Sequence, residues 1–216
     1  MTIKAILFDI DGTLVDSNGL HVDAWSEAFD GHDHPVERDR IGPQIGKGGD
    51  TLVPALLPDL PEEERERLAD AHGEIFKERF LETVRPFPGA RDLLARVRGA
   101  GLKVALASSA SQGELDHYLG LLDARDLVDA TTSADDVGTS KPAPDIVVTA
   151  LKKLGLEPGE VVFVGDTPYD VESGSKAGVA TVAVLSGGFP REALAGAKAV
   201  YDDVAALLAA WPEWVG

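Results

Sequence analysis

Residues Ile3–Thr13 read IKAILFDIDGT, and this stretch decides the fold. Its apolar part, Ile3–Phe8, is short and rich in Ile and Phe, which favours a buried strand. The strand ends at Asp9, a second acid follows at Asp11, and Gly12 interrupts the pattern. We therefore expect a buried strand with two carboxylates at its carboxyl end, where the functional groups of parallel sheets collect.

Strand and helix signals alternate along the chain from residue 90 onward. This rhythm implies right-handed crossovers and a parallel sheet with helices on both faces, so the predicted fold class is α/β and Rossmann-like. The further predicted strands are Val104–Ala107, Leu127–Ala130, Val161–Val164 and Val179–Leu185. The predicted helices are Ala90–Val97, Pro144–Leu154, Val171–Ala177 and Val204–Leu208.

Residues 16–84 do not follow this rhythm. Apolar residues recur there at helical spacing, strand signals are absent, and the acids Glu62–Glu64 suit a helix N-terminus. We expect residues 16–84 to form an inserted helical cap domain. Residues 1–15 and 85–216 would then form the Rossmann-like core, which the chain re-enters near Pro86.

The composition excludes several classes of protein. The 216 residues include 20 Lys and Arg against 37 Asp and Glu, a formal net charge of −17, which repels the phosphates of nucleic acids and anionic membranes. Cysteine is absent, so disulfides, thiol nucleophiles and thiolate metal sites are excluded. An early acid at position 9 and the lack of an apolar run of about 18 residues argue against a signal peptide and a membrane span. We expect a cytoplasmic protein, either a monomer or a homodimer.

Polar signals lie at or near the carboxyl ends of four predicted strands. They are Asp9–Thr13, Ser108-Ser109, Lys141 within the turn-rich stretch 138–142, and Gly165-Asp166 with Asp170 four residues later. Each signal alone has an ordinary explanation, because Asp and Ser often cap turns and helices. Together they suggest one site.

The aspartates of this set would converge if their strands are neighbours. Several carboxylates in one cleft repel one another, so the cluster needs a cation, and oxygen ligands without His or Cys favour Mg²⁺. Lys141 supplies a point charge for a phosphate, while Ser108 and the Ser109 backbone donate hydrogen bonds to its oxygens. The sequence therefore predicts a phosphoryl site with Mg²⁺ as cofactor.

The four motifs resemble those of the haloacid dehalogenase superfamily of aspartyl-phosphate phosphohydrolases. The resemblance is to capped phosphatases similar to phosphoglycolate phosphatase and β-phosphoglucomutase. Asp9–Ser17, DIDGTLVDS, is similar to the first motif, Ser108 to the second, Lys141 in SKPAPD to the third, and Gly165–Asp170, GDTPYD, to the fourth. The insertion after the first motif matches the position of the superfamily's first cap domain.

This resemblance implies a role for each residue. Asp9 would attack phosphorus to form an aspartyl-phosphate, and Asp11 would protonate the leaving oxygen and then activate water. Ser108 and Lys141 complete the expected catalytic set. The candidate phosphate-binding residues are Ser109, Gly12 and Thr13. The candidate metal ligands are Asp9, the Asp11 backbone carbonyl, Asp166 and Asp170, the last acting through water or by holding Lys141.

Two cap residues are candidates for substrate contact. His21 sits where β-phosphoglucomutase-like members carry a cap histidine, and the alternative is a histidine on a helix surface. Lys47, in the stretch GKGGD, lies between glycines that allow close approach to a ligand. In this subgroup the corresponding loop faces the active site, where a lysine would contact a carboxylate or hydroxyls of the leaving group. A flexible solvated loop is the alternative.

The expected function is that of a Mg²⁺-dependent phosphatase acting on a small phosphorylated metabolite, because a small cap leaves a small pocket. Three alternatives stay open. A phosphomutase of the β-phosphoglucomutase type would form the same intermediate and pass it to a second sugar hydroxyl. Phosphonoacetaldehyde hydrolase-like C–P cleavage needs a cap lysine. A non-catalytic binding or receiver-type protein also gathers acids and a lysine at strand ends.

Overall fold

The computed structural model describes residues 2–215 and has an α/β fold. The strands are β1 (Ala5–Phe8), β2 (Val15–Asp16), β3 (Arg85–Pro86), β4 (Lys103–Ala107), β5 (Ala130–Thr132), β6 (Val161–Gly165), β7 (Ala180–Val184) and β8 (Ala199–Tyr201). The α-helices are α1 (Asn18–Gly31), α2 (Arg38–Ile41), α3 (Gly49–Leu56), α4 (Glu62–Ile75), α5 (Ala90–Gly99), α6 (Gln112–Leu121), α7 (Asp145–Leu154), α8 (Pro168–Lys176) and α9 (Val204–Ala209). The longest of them have 14 residues, and nowhere in residues 2–215 is a helix long and apolar enough to cross a membrane.

Six strands form one parallel sheet in the order β5-β4-β1-β6-β7-β8. Strand β1 lies at the centre, with Phe8 opposite Leu106 of β4 and Val164 of β6. The chain builds β4 and β5 on one side of β1 and then crosses to build the other side. The strand order therefore reverses at β1, and ligands of open parallel sheets bind in the crevice at such a reversal.

Helices cover both faces of the sheet, as the sequence predicts. Ile6 and Phe8 point to the face packed by α5, α6 and α9, whereas Ala5 and Leu7 point to the face packed by α7. All four side chains are fully buried. A strand buried on both faces has a continuous apolar sequence rather than an alternating one, which explains the run that precedes Asp9.

Residues between β2 and β3 are helical and contain α1 to α4. Helices α1 and α3 both pack against α4, around a separate apolar cluster that includes Trp25, Phe29 and Leu52. The chain enters and leaves this helical segment side by side, because β2 and β3 pair as antiparallel strands. The segment therefore projects from the sheet edge at which β1 ends.

Several elements differ from the prediction. Helix α6 and strand β8 were not predicted, and β5 shares only Ala130 with the predicted strand Leu127–Ala130. Helix α8 begins at Pro168 rather than Val171, because Thr167 caps it and Pro occupies its first position. A capping box of Ser111 and Glu114 starts α6, and this was a readable signal in the sequence.

Candidate active site

The central strands bring the predicted acids together. Asp9 follows β1, and its N–H donates to the carbonyl of Val164 at 2.8 Å. Asp166 directly follows β6, and Ser108 directly follows β4. The side chains of all three are buried. Their convergence follows from the position of β1 between β4 and β6.

Lys141 lies at the centre of this group. Its Nζ donates to Oδ1 of Asp9 at 2.6 Å and lies 2.8 Å from Oδ1 of Asp170. The lysine is 1% exposed. Burial alone would lower the pKa of Lys141, but the charges of Asp170 and Asp9 outweigh it and raise the pKa. Lys141 is therefore a permanent cation, positioned between two carboxylates.

The start of α8 determines the orientation of Asp170. Its Oδ2 accepts hydrogen bonds from the Thr167 hydroxyl at 2.7 Å and from the Thr167 N–H at 3.0 Å. In return, the Thr167 hydroxyl accepts from the Asp170 N–H at 3.1 Å. This reciprocal capping leaves Oδ1 of Asp170 facing Lys141.

Asp166 is held by the first motif and by the first residue of α1. The Thr13 hydroxyl donates to its Oδ1 at 2.7 Å, and Nδ2 of Asn18 donates to its Oδ2 at 3.0 Å. Gly12 has φ +72°, and a Cβ at this position would lie 2.3 Å from Oδ2 of Asp166. Only glycine fits this turn, both for its backbone conformation and for its approach to the carboxylate.

Three of these carboxylates suit a divalent cation. Single oxygens of Asp9, Asp166 and Asp170 all lie within 4.8 Å of one another, and all three residues are buried. One lysine cannot neutralise three acids. Burial and the neighbouring charges raise the pKa of Asp9 to about 7, against the opposing effect of Lys141, and raise the pKa of Asp166 well above its usual value. An all-oxygen donor set with excess negative charge fits Mg²⁺.

The Asp11 carboxylate makes a different set of contacts. Its Oδ1 accepts from the Ser17 hydroxyl at 2.6 Å and the Tyr118 hydroxyl at 3.0 Å, and lies 3.2 Å from Nε2 of His21. Burial would raise the pKa of Asp11, but the hydrogen bond and charge of His21 and the hydroxyl donors lower it. The same contact raises the pKa of His21 against the effect of its burial. Asp11 and His21 thus each favour the charged form of the other, beside the Asp9 cluster.

A cavity of about 330 Å³ lies between this sheet edge and the helical segment. Seven of its lining residues were predicted as site residues. Five of them lie outside the helical segment, and they are Asp9, Asp11, Ser108, Ser109 and Lys141. The helical segment contributes the other two, His21 and Lys47, together with Trp25 and His72. These seven residues therefore face one common space.

Four predicted site residues do not line the cavity, and they are Gly12, Thr13, Asp166 and Asp170. The N–H of Gly12 donates to the carbonyl of Val15, and the hydroxyl of Thr13 donates to Asp166. Lys47 lines the cavity, but its Nζ donates to Gln44 at 2.5 Å and lies 4.6 Å from the centre of the Tyr169 ring. A phosphate-binding role for the first two, and a substrate role for Lys47, stay predictions.

Polar contacts fasten the helical segment over the cavity. The Gly48 N–H donates to the Ser140 hydroxyl at 3.0 Å, and the Ser140 N–H donates to Oδ2 of Asp50 at 3.0 Å. The Ser140 hydroxyl also donates to Asp50. The Thr51 hydroxyl donates to the carbonyl of Lys141 at 3.0 Å. The first turn of α3 therefore forms hydrogen bonds to Ser140 and Lys141, the dipeptide that contains the buried lysine.

Comparison with known proteins assigns the family. A model of the haloacid dehalogenase-like hydrolases matches residues 3–178. The chain belongs to the haloacid dehalogenase-like hydrolases. It is 30% identical to a phosphoglycolate phosphatase of Rhodospirillum rubrum, over 99% of this chain and 91% of the relative. It is 31% identical to an N-acetylmuramic acid 6-phosphate phosphatase of Pseudomonas aeruginosa, over 87% and 84% of the two chains.

A solved structure extends this relation to the whole fold of the haloacid dehalogenase-like chain. A hydrolase from Pseudomonas syringae superposes with a TM-score of 0.91 at 32% identity, covering 97% of this chain and 98% of that one. The superposition includes the helical segment as well as the sheet, because so little of either chain is left out. Both parts of the cavity wall thus belong to the shared architecture.

Several site residues of this family member were not found from its sequence. They are Asn18, Asp50, His72, Tyr118 and Ser140. Most of them reach the site from helix surfaces whose orientation depends on how the sheet and the helical segment pack, so no local pattern reveals them. His72 is an exception in part, because His72 and Phe76 repeat the four-residue spacing of His21 and Trp25.

Proposed function

We propose that the chain is a Mg²⁺-dependent phosphatase that acts on a small phosphorylated metabolite through an aspartyl-phosphate. Its family and its phosphatase relatives make it a phosphoric monoester hydrolase. One observation carries the finer proposal. The carboxylate of Asp9 borders the cavity, paired with Lys141 and next to two further buried acids, so a nucleophile, a cation and a metal site share one position.

Asp9 is the proposed nucleophile, since it lines the cavity at the end of the central strand. A carboxylate must be ionised to attack phosphorus, and Lys141 favours the ionised form. Ser108 and Ser109 line the same cavity and would hold the phosphoryl oxygens. The new bond joins Oδ of Asp9 to phosphorus while the bond to the leaving oxygen breaks.

Asp11 is the proposed general acid and then the general base. One proton lies in its hydrogen bond with His21, so the pair has a proton to give to the leaving oxygen. The carboxylate left behind can then take a proton from the water that cleaves the aspartyl-phosphate. The hydroxyls of Ser17 and Tyr118 hold Asp11 in one orientation throughout.

The proposed ligands of Mg²⁺ are Asp9, Asp166, Asp170 and the Asp11 backbone carbonyl. Bound there, Mg²⁺ offsets the repulsion between an anionic nucleophile and an anionic phosphate. The chain prepares the site by orienting Asp166 through Thr13 and Asn18 and Asp170 through Thr167. These hydrogen bonds orient the two carboxylates before a metal binds.

We also propose that residues 16–84 act as a cap domain that opens for substrate and closes for chemistry. Two features support this division. The segment has its own apolar cluster, and the chain enters and leaves it through the adjacent strands β2 and β3. Its contacts with Ser109, Ser140 and Lys141 would exclude bulk water in the closed state.

The test is phosphate release from a panel of phosphorylated metabolites with Mg²⁺. We expect turnover of small monoesters, 2-phosphoglycolate and hexose phosphates among them, and loss of activity in EDTA. Asp9→Asn should lower kcat by about a thousandfold or more. Asp92→Asn, an exposed acid on α5, is the matched control. An Asp9→Asn variant with full turnover would contradict the mechanism, and isomerisation of glucose 1-phosphate without net phosphate release would favour a mutase.

The Lys47→Ala variant tests whether Lys47 contacts the leaving group of the substrate or only its neighbours within the protein. If Lys47 contacts the substrate, KM for 2-phosphoglycolate, whose leaving group carries a carboxylate, should rise more than KM for a hexose phosphate. Equal KM values for wild type and variant on both substrates would assign Lys47 to its contacts with Gln44 and Tyr169 alone. The cytoplasmic location and the monomer or homodimer state stay predictions.

A further inference from the structure

A second histidine, His72, contacts the side of His21 that faces away from Asp11. Nε2 of His72 lies 3.2 Å from Nδ1 of His21, and Nε2 of His21 lies 3.2 Å from Oδ1 of Asp11. Both nitrogens of His21 are therefore engaged, one on each side of the ring. His72 comes from α4 and His21 from α1, so the three residues link both helices to the end of β1.

The two imidazoles are held by aromatic rings. His21 stacks on Phe76 with 3.8 Å between ring centres and 8° between ring planes. His72 stacks on Trp25 at 4.1 Å and 9°. Each helix thus contributes a histidine and an aromatic residue four positions later, and each histidine stacks on the aromatic residue of the other helix. This interleaving leaves both rings little freedom to turn.

The direction of one hydrogen bond follows from the chemistry of its partners, because an ionised carboxylate can only accept and Nε2 of His21 must therefore donate to Asp11. Burial and the nearby charge of His21 lower the pKa of His72 well below its usual value, which favours the neutral ring and its acceptor nitrogen. His21, beside the Asp11 carboxylate, carries N–H groups on both nitrogens when protonated. It can then donate through Nδ1 to His72 and through Nε2 to Asp11.

We propose that His72 is a positioning residue of this phosphatase, which orients His21 toward Asp11 and thereby aligns the proton used by the leaving group. The assignment rests on the proposed role of Asp11. Three donors already converge on one oxygen of Asp11, so a small rotation of His21 would break its 3.2 Å contact while the two hydroxyls kept theirs. His72 contacts the opposite nitrogen of the His21 ring and so opposes that rotation.

His72 also lines the cavity, so direct contact with substrate is the competing explanation. The two explanations differ in how they depend on the leaving group. A group that aligns a proton matters for an alkoxide leaving group and matters little for p-nitrophenolate, which leaves without a proton. A group that only binds substrate would affect KM without following the basicity of the leaving oxygen.

The experiment compares kcat/KM for p-nitrophenyl phosphate and for an alkyl phosphate of similar size. His72→Phe keeps a ring beside Trp25 and removes the acceptor, whereas His72→Gln restores an acceptor oxygen. We expect His72→Phe to lose about tenfold more on the alkyl ester than on the aryl ester, and His72→Gln to recover most of that loss. His34→Gln, on the cap but outside the cavity, is the control and should behave as wild type.

Equal losses on the two esters, or a change confined to KM, would overturn the positioning role. A wild type that hydrolyses neither ester with Mg²⁺ would instead overturn the proposed function on which it rests. If His72→Phe does not fold, the nitrogen-15 spectrum of the wild type decides. A scalar coupling between Nδ1 of His21 and Nε2 of His72 supports the contact, and its absence at a temperature where both signals are sharp overturns it.

Discussion

Nζ of Lys141 lies 2.6 Å from Oδ1 of Asp9, and both groups are buried. The residues are 132 positions apart in the chain, so their contact depends on the complete sheet. A charge pair of this kind costs desolvation energy, and it is tolerated because each partner compensates the other. Replacing Lys141 leaves a buried carboxylate without its cation, whereas replacing Asp9 removes a buried charge. The two substitutions should therefore affect the stability of the fold differently.

Lys141→Met should both inactivate and destabilise the protein. It leaves Asp9 and Asp170 buried without their cation, which costs about 3 to 5 kcal/mol of unfolding free energy. Urea unfolding in EDTA at pH 7.5 measures this cost. Lys152→Met, at an exposed position on α7, should change the same quantity by less than about 0.5 kcal/mol. A Lys141→Met variant as stable as the control would show that the pair does not stabilise the fold.

The pKa of Asp9 predicts how stability depends on pH when no metal is bound. Burial raises this pKa from 3.8 to about 7, so between those values the folded chain keeps a proton that the unfolded chain has lost. The folded state then binds more protons, and stability falls as pH rises from about 4 to about 7. In EDTA the Tm should therefore decrease over this range.

Asp9→Asn should reduce that decrease, because an amide has no charge to bury, while Asp166, whose pKa is also raised, keeps the remainder. Mg²⁺ should also raise the Tm of the wild type more at pH 7.5 than at pH 5, since it binds the ionised carboxylates. Calorimetry with and without Mg²⁺ at the two pH values measures both effects. Identical slopes of Tm against pH for wild type and variant would show that Asp9 does not cause the decrease.

Asp50→Asn should weaken the contact between the cap and Ser140. The carboxylate of Asp50 accepts two hydrogen bonds from Ser140, and an amide oxygen is a weaker acceptor. We expect about a tenfold loss of kcat/KM with little change in Tm, and faster hydrogen exchange at the Ser140 amide. Asp59→Asn, an exposed acid of the same segment, should change neither. Unaltered exchange at Ser140 would contradict the interpretation.

Gly12→Ala should affect the metal site more than the fold around it. Its φ of +72° strains an L-residue, and the added Cβ would meet Oδ2 of Asp166. Since the carboxylate must move, the affinity for Mg²⁺ measured by calorimetry should fall at least tenfold. Gly99→Ala is the control, because no heavy atom lies within 4 Å of a Cβ there. Unchanged Mg²⁺ affinity in Gly12→Ala would place the metal away from Asp166.

Local patterns predicted the sheet and the acids that end its strands. The buried strand before Asp9 and the strand before Asp166 have continuous apolar sequences, and such sequences depend little on what packs around them. Strand β8 was missed because its three residues are only partly buried and carry no strong periodic pattern. Its pairing with β7 comes from the sheet and not from its own residues.

The cap side of the site was less predictable for a related reason. His21 and Lys47 were found through their positions next to a motif and between glycines. His72, which contacts His21, lies 51 residues away on another helix and is specified only when the helices pack, whereas Gln44 lies three residues from Lys47. A single sequence shows which side chains carry chemistry more readily than it shows which side chains hold them in place.

The cavity volume of about 330 Å³ limits what the proposed cap domain can enclose. If the helical segment closes as proposed, closure over a substrate must displace water from this space, and a leaving group too large for it would hold the walls apart. High concentrations of an excluded osmolyte should therefore favour the closed form and tighten binding of substrates that fit inside.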